Sequence, residues 1–168
     1  MDWQRLRIGN GWDVHPLVKD RPLILGGVAV PYDRGLAGHS DADVLCHALM
    51  DALLGAAGLG DIGELFPDSH ETYRGADSLE LLAEVGRRFG QEGFVLVNVD
   101  TTVLAQRPKL APYRERMSLN MAEALGVAAS QVGVKATTTE ELGFVGRGEG
   151  IAASAVALLA TVGDKPLG

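Results

Sequence analysis

His39-Ser40-Asp41-Ala42-Asp43-Val44-Leu45-Cys46-His47-Ala48-Leu49-Met50-Asp51-Ala52-Leu53 decides the fold class, because the chain changes period there. Ahead of it, Leu6 to Ile8 and the β-favouring run Leu23 to Val30, bracketed by Pro22 and Pro31, read as strands. From Ser40 onward, Val44, Leu45, Ala48, Leu49, Ala52 and Leu53 fall at helical spacing. Ser40 is the expected N-cap, with Asp43 as its capping-box partner, and Gly55 and Gly58 are expected to end the helix.

Working outward, further helices are expected from about Ser78 to Phe89 and from about Tyr113 to Leu125, the latter stopped by Gly126. Val- and Thr-rich stretches, Phe94 to Leu104 and Val132 to Thr139, read as strands between and after them. The tail Ile151 to Val162 is read as a buried strand, although its alanines also suit a helix. The layout is α/β (α+β), a single domain over residues 1–168 with a mixed β-sheet and helices packed on one face.

The 168 residues suit one domain that buries its core without staples, and 46% hydrophobic with 22% charged residues is ordinary for a globular chain. A net charge of −7 and a pI near 5.0 argue against nucleic acid or an anionic membrane as partner, since neither meets clustered Lys or Arg. An anionic substrate would need its charge met locally, by metal ions and a few placed cations. Cys46 is the only cysteine, so no intrachain disulfide forms and a reducing compartment fits. The start MDWQRLRIGNG lacks an apolar signal core, and no apolar run reaches the roughly 18 residues of a membrane helix. A cytoplasmic location is expected.

Three stretches carry chemistry. In Gly9-Asn10-Gly11-Trp12-Asp13-Val14-His15, an extended backbone turns Asp13 and His15 to one side, which makes half a metal site. Taken alone, a loop carboxylate beside a solvated imidazole is the commoner meaning. The second stretch puts His39 at a helix entrance and His47 inside the helix, where a buried imidazole needs a partner. A metal shared with Asp13 and His15 would supply one, and a hydrogen bond to Asp43 or Asp51 would supply another. Two imidazoles and a carboxylate with an open fourth position describe a catalytic zinc site. Spacing does not decide between His39 and His47, although the helix interior is the stiffer platform. The third stretch, Lys135 to Gly150, has hydroxyls, glycine-flanked amides, Lys135 and Arg147 for phosphates, and Glu140 for a hard cation, or else forms a Gly-rich hairpin.

Gly58-Leu59-Gly60-Asp61-Ile62-Gly63 matches a dinucleotide-binding pattern, but it follows a helix, so it reads as a helix stop and turn. Neither GxxxxGK[ST] nor HExxH occurs.

With RIGNGWDVH, AGHSDADVLCHALMDALLGAAGLGDIGELFPD, GADS, NVDTTVLAQRPKLAPY and VKATTTEELGFVGRGEGIA in order, nearly the whole chain resembles the 2-C-methyl-D-erythritol 2,4-cyclodiphosphate synthase family. The resemblance implies a lyase of the non-mevalonate (MEP) isoprenoid pathway. It would close 4-diphosphocytidyl-2-C-methyl-D-erythritol 2-phosphate into a cyclic diphosphate and release CMP. It implies Zn²⁺ on Asp13, His15 and His47, and a second divalent cation, Mg²⁺ or Mn²⁺, on Glu140. His39 and Ser40 go to the substrate, as do Asp61, Gly63 and the stretch Phe66 to Asp68. Ala105, Lys109, Leu110, Ala111, Ala136, Thr137 and Thr138 match the cytidine and diphosphate pocket, and His39 and Thr138 the positions that steady the transition state. Phe144 and Arg147 are also implied as substrate contacts, and Arg147 and Glu149 match residues lining a central channel, where an isoprenoid diphosphate is the implied ligand. The family is homotrimeric, with sites between subunits. Departures fall at Asn10 and in the Val18 to Arg21 and His70 to Arg74 loops.

Two rival functions use the same residues. A zinc-dependent phosphohydrolase would employ the metal site with water as nucleophile. A non-catalytic nucleotide-binding trimer would leave His39 and His47 structural.

Overall fold

In β1 (Leu6–Val18), Ile8, Asn10, Trp12 and Val14 are exposed while Gly9 and Gly11 between them are buried, the two-residue alternation of a strand with one covered face. A computed structural model describes residues 5–67 and 75–162. The strand is much longer than the three residues expected from sequence, because Gly9 and Gly11 suppress its propensity signal while the sheet around them holds it extended.

Five strands form the main sheet in the order β4-β1-β7-β5-β6. Here β4 is Gly35–Leu36, β5 Phe94–Leu104, β6 Val132–Thr137 and β7 Gly150–Thr161. Only β5 and β6 pair in parallel, and they do so across the crossover that contains helix α4 (Arg114–Leu125). The sheet is therefore mixed, as expected, and the alanine-rich tail is its central strand. Its alanines are small because a helix lies directly on them: Ala153, Ala155 and Ala157 are buried beneath α1 (Val44–Ala57).

Eleven of the 14 residues of α1 are buried, so this is a core helix with little amphipathic contrast. Its leucines Leu45, Leu49, Leu53 and Leu54 each contribute about 1.5–3 kcal/mol of hydrophobic stabilisation. Helices α3 (Ser78–Gln91) and α4 pack beside it on the same face, with α3 against α1 and α4 against α3. Among the described residues no long helix lies on the opposite face of the sheet, which exposes Ile8, Trp12, Val14, Val95, Val97 and Val156.

Two expectations are corrected. The run Leu23 to Val30 is a hairpin, β2 (Leu23–Leu25) and β3 (Val28–Val30), turned at Gly26 and Gly27 with φ of 55° and 67°. Successive left-handed residues make the tight turn whose twist matches two short antiparallel strands. The N-cap of α1 is Asp43, not Ser40: its Oδ1 accepts the amides of Leu45 and Cys46, both at 3.1 Å. The other oxygen accepts the Gly27 amide at 2.7 Å, tying the hairpin turn to the helix start. Burial raises the Asp43 carboxyl above its ordinary value despite these bonds. The C-terminal end follows the expected pattern, with Gly58 left-handed at φ 71° after Gly55 has passed inside the helix. No helix among the described residues is long and apolar enough to cross a membrane.

Candidate metal centre

The inward residues of β1 run Gly9, Gly11, Asp13, His15. Without side chains, the two glycines let α1 settle directly on the strand: a Cβ on Gly9 would lie 2.0 Å from the Ala52 carbonyl oxygen. That contact brings the first turns of α1 level with Asp13 and His15, and His47 closes the group.

His15 Nε2 lies 2.9 Å from Asp13 Oδ2, His47 Nδ1 lies 3.0 Å from the same oxygen, and the two ring nitrogens are 3.1 Å apart. Bonds of 2.0–2.1 Å in a tetrahedral zinc site set ligand atoms roughly 3.3–3.4 Å apart, so a few tenths of an ångström of expansion would seat an ion. The outer nitrogens are held from behind. His15 Nδ1 is 2.7 Å from the Ala37 carbonyl oxygen, and His47 Nε2 is 3.1 Å from Ser78 Oγ and 3.2 Å from Ser40 Oγ. The carbonyl can only accept, so His15 carries its proton on Nδ1 and turns the Nε2 lone pair inward. Donor set, spacing and orientation fit a divalent metal ion.

Burial alone would raise the Asp13 carboxyl, but hydrogen bonds and charge from His15 and His47 outweigh it and hold the group well below the usual carboxylate range. His15 is the converse case. Burial disfavours its cation, and the Asp13 hydrogen bond and charge together with the Ala37 carbonyl reverse this and raise it. In the metal-free protein the Asp13 carboxylate thus favours a proton on the His15 imidazole, and an ion must displace it.

These residues form one wall of a cleft of about 490 Å³ that is also lined by Gly38, His39, Ser40, Met50, Ile62, Gly63, Phe66 and Leu81. His39 is exposed at the entrance, just before the chain turns through Ala42 at φ 59°. Asp61 caps α2 (Ile62–Leu65) by accepting the Glu64 amide at 2.9 Å, and so braces the helix that presents Gly63. Asp68 lies outside the described residues.

A second hollow of about 340 Å³ gathers Ala105, Lys109, Leu110, Ala111, Ala136 and Thr137 with Pro108 and Arg114. It shares no lining residue with the cleft. Thr138 and Glu140 follow β6 at the surface, where the Thr138 hydroxyl donates to Glu140 Oε1 at 2.7 Å and Glu140 is left-handed at φ 51°. Phe144 lines a third hollow with Trp12, Leu104 and Leu142, and Arg147 pairs with Glu149 at 2.7 Å. Within one chain, therefore, Asp13, His15, His39, Ser40, His47, Gly63 and Phe66 come together, while the nucleotide-pocket residues and Phe144 and Arg147 stand apart from them. Sequence reasoning missed the cleft walls Met50 and Leu81, which look like ordinary core positions, and missed Ser78, legible only as a helix start.

The match to a family model, described as YgbB family, extends over residues 6–160. The chain belongs to the YgbB family. Among its relatives, 2-C-methyl-D-erythritol 2,4-cyclodiphosphate synthase of Geobacillus kaustophilus is 63% identical over 153 residues, 91% of this chain and 97% of that protein. The synthase of the same name from Laribacter hongkongensis is 62% identical over 154 residues, covering 92% and 95%. A Plasmodium falciparum IspF complex with CDP superposes with a TM-score of 0.82 at 32% identity, covering 96% of this chain and 100% of that one. The mixed α+β architecture read from sequence is that of this solved synthase.

Proposed function

We propose that the chain converts 4-diphosphocytidyl-2-C-methyl-D-erythritol 2-phosphate to 2-C-methyl-D-erythritol 2,4-cyclodiphosphate with release of CMP. The observation that carries this reading is the convergence of Asp13, His15 and His47 in a cleft fringed by His39 and Ser40, in a chain whose relatives bear that enzyme's name. An oxygen of the 2-phosphate forms a new bond to the nearer phosphorus of the diphosphate, and the bond to CMP breaks. Anion must approach anion. Zn²⁺ on Asp13, His15 and His47, with Mg²⁺ or Mn²⁺ on Glu140, supplies the positive charge that offsets this repulsion.

The chain's own residues bind and orient. The phosphate oxygen is already ionised near neutral pH, so no strong general base is required, which agrees with a site built from ligands and hydrogen-bond donors. Ser40 Oγ already accepts the Ala42 amide at 3.1 Å, and its hydroxyl proton is available to the phosphate. His39, exposed beside Ser40, would donate to the substrate, and Thr138, whose hydroxyl is turned to Glu140 here, would have to turn from it to donate from the nucleotide side. Gly63 and Phe66 take the erythritol end with Asp61 and Asp68, while Lys109, Leu110, Ala111, Ala105, Ala136 and Thr137 take the cytidine and diphosphate. Holding both ends of one molecule in contact is worth about 7–11 kcal/mol at best in well-oriented intramolecular reactions.

The two hollows lie apart on one chain, and the sheet offers an apolar face free of long helices. Both features favour a homotrimer in which that face is buried and a neighbour's nucleotide pocket closes the metal cleft. Arg147 and Glu149 would then border the central channel, with an isoprenoid diphosphate as its ligand, and Phe144 would face substrate. A single buried cysteine suits a cytoplasmic setting.

Incubation of the purified protein with the cytidine diphosphate substrate, Zn²⁺ and Mg²⁺ tests the reading. CMP and a cyclic diphosphate free of solvent oxygen are expected. A linear phosphate labelled from isotopic water would instead identify a phosphohydrolase.

A further inference from the structure

Behind His47 stands a chain of hydrogen bonds that leads away from the cleft. Ser78, fully buried at the first turn of α3, places its Oγ 3.1 Å from His47 Nε2 and donates its own proton to Asp41 Oδ1 at 2.5 Å. Asp41 Oδ2 accepts the Ser78 amide at 3.0 Å, and Oδ1 also receives the Asp43 amide at 3.2 Å. Two donors from Ser78, arranged side by side on one carboxylate, fix the direction of the hydroxyl.

A serine hydroxyl has one proton to give. Since Asp41 takes it, Ser78 can only accept from the imidazole, which favours the tautomer of neutral His47 with its proton on Nε2 over the one that donates from Nδ1 to Asp13 Oδ2. The lone pair is then on Nδ1, the nitrogen 3.0 Å from Asp13 Oδ2 and 3.1 Å from His15 Nε2. Ser40 alone would not impose this order, because its hydroxyl, 3.2 Å from Nε2, could give or receive.

We propose that Ser78 and Asp41 are positioning residues for the metal centre, a relay that sets the tautomer and ring orientation in which His47 Nδ1 faces the ion. The inference rests on the metal reading of Asp13, His15 and His47. His15 obtains the same service from the fixed carbonyl of Ala37, whereas His47, on a helix that offers no backbone acceptor at that point, obtains it from two side chains on separate segments. The relay also anchors the first turn of α3 to the loop that carries His39 and Ser40.

The test combines Ser78→Ala and Asp41→Asn with zinc titration by chelator competition and nitrogen NMR of the histidine rings in the metal-free protein. Asp41→Asn keeps the size but must place an amide against one of the two Ser78 donors. Outer-partner losses of this kind typically weaken metal binding by about 10–100-fold. That loss is expected for both variants, with the proton of His47 shifting from Nε2 toward Nδ1 at neutral pH. Zinc affinity within about threefold of the unaltered protein in Ser78→Ala would overturn the relay. So would a wild-type spectrum that shows the His47 proton on Nδ1, a readout that stands even if a variant fails to fold. Failure of the unaltered protein to bind zinc would instead overturn the metal reading beneath it.

Discussion

Gly11 rests on the backbone of Ala48 so closely that a Cβ at Gly11 would stand 1.9 Å from the Ala48 carbonyl oxygen and 2.7 Å from the Ala52 amide nitrogen. Both obstacles are main chain, so no side-chain rotation relieves them. Gly11→Ala is expected to push α1 off the strand, at a cost of about 1–3 kcal/mol in stability, and to separate His47 from Asp13. Gly55→Ala is the control: it meets nothing within 4 Å on an exposed helical position and should stabilise by about 0.4–1 kcal/mol. Chemical denaturation of the two metal-free variants checks the pair, and a Gly11→Ala protein as stable as the parent contradicts the close approach.

Protons and metal compete for His15. Because the metal-free protein raises this imidazole above its ordinary 6.5, zinc affinity should fall as pH drops through that raised value. Asp13 stays a carboxylate far below neutrality and adds no competition there. Stability of the metal-free protein follows the opposite branches of the same pair. The lowered Asp13 contributes stabilisation that is present above 3.8 and lost on acidification, and the raised His15 contributes stabilisation present below 6.5 and lost as pH climbs through its raised value. Denaturation with chelator present should therefore show this contribution greatest between about 3.8 and 6.5. His15→Gln should flatten the alkaline side, and an unchanged profile argues against the ion pair.

Asp43 holds three amides with one carboxylate, joining the β2–β3 turn to α1. Asp43→Ala leaves buried donors at Leu45 and Cys46, each costing about 1–3 kcal/mol when unsatisfied, and a half-buried one at Gly27. A marked drop in melting temperature is expected without change in the metal ligands themselves. A loss of only a few tenths of a kcal/mol would show that water replaces the carboxylate.

Much of this was legible beforehand, for reasons that individual residues make clear. The helix bearing His47 announced itself through its apolar spacing and Gly58, and β5 through its alternating valines and threonines, because each signal is local. The true N-cap was not, since Asp43 and Ser40 are both good capping residues, and it is the folded geometry that gives Asp43 the Leu45 and Cys46 amides together with the distant Gly27 amide. The Leu23 to Val30 hairpin was hidden because Gly26 and Gly27 sit inside an otherwise continuous β-favouring run. In the site, Asp13 and His15 share a face by strand geometry alone. Their meeting with His47 depends on long-range packing of Gly9 and Gly11 against α1, which only the resemblance supplied. Ser78 escaped notice because a serine at a helix start already has an adequate explanation.

The exposed sheet face gives a prediction about assembly. Trp12→Arg places a charge on the surface proposed to lie between subunits, so light scattering should show smaller species and turnover should fall with the assembly. A trimer of unaltered mass would count against this face as the contact. Lys109→Ala, in the second hollow, should weaken nucleotide binding while leaving zinc content intact.

Zinc content and turnover measured together on the parent protein and on His47→Ala test the central claim most directly. Stoichiometric zinc with CMP and cyclic product from the parent, and neither zinc nor turnover from His47→Ala, is the predicted result. A zinc-free His47→Ala protein that cyclises the substrate at the parental rate would contradict it.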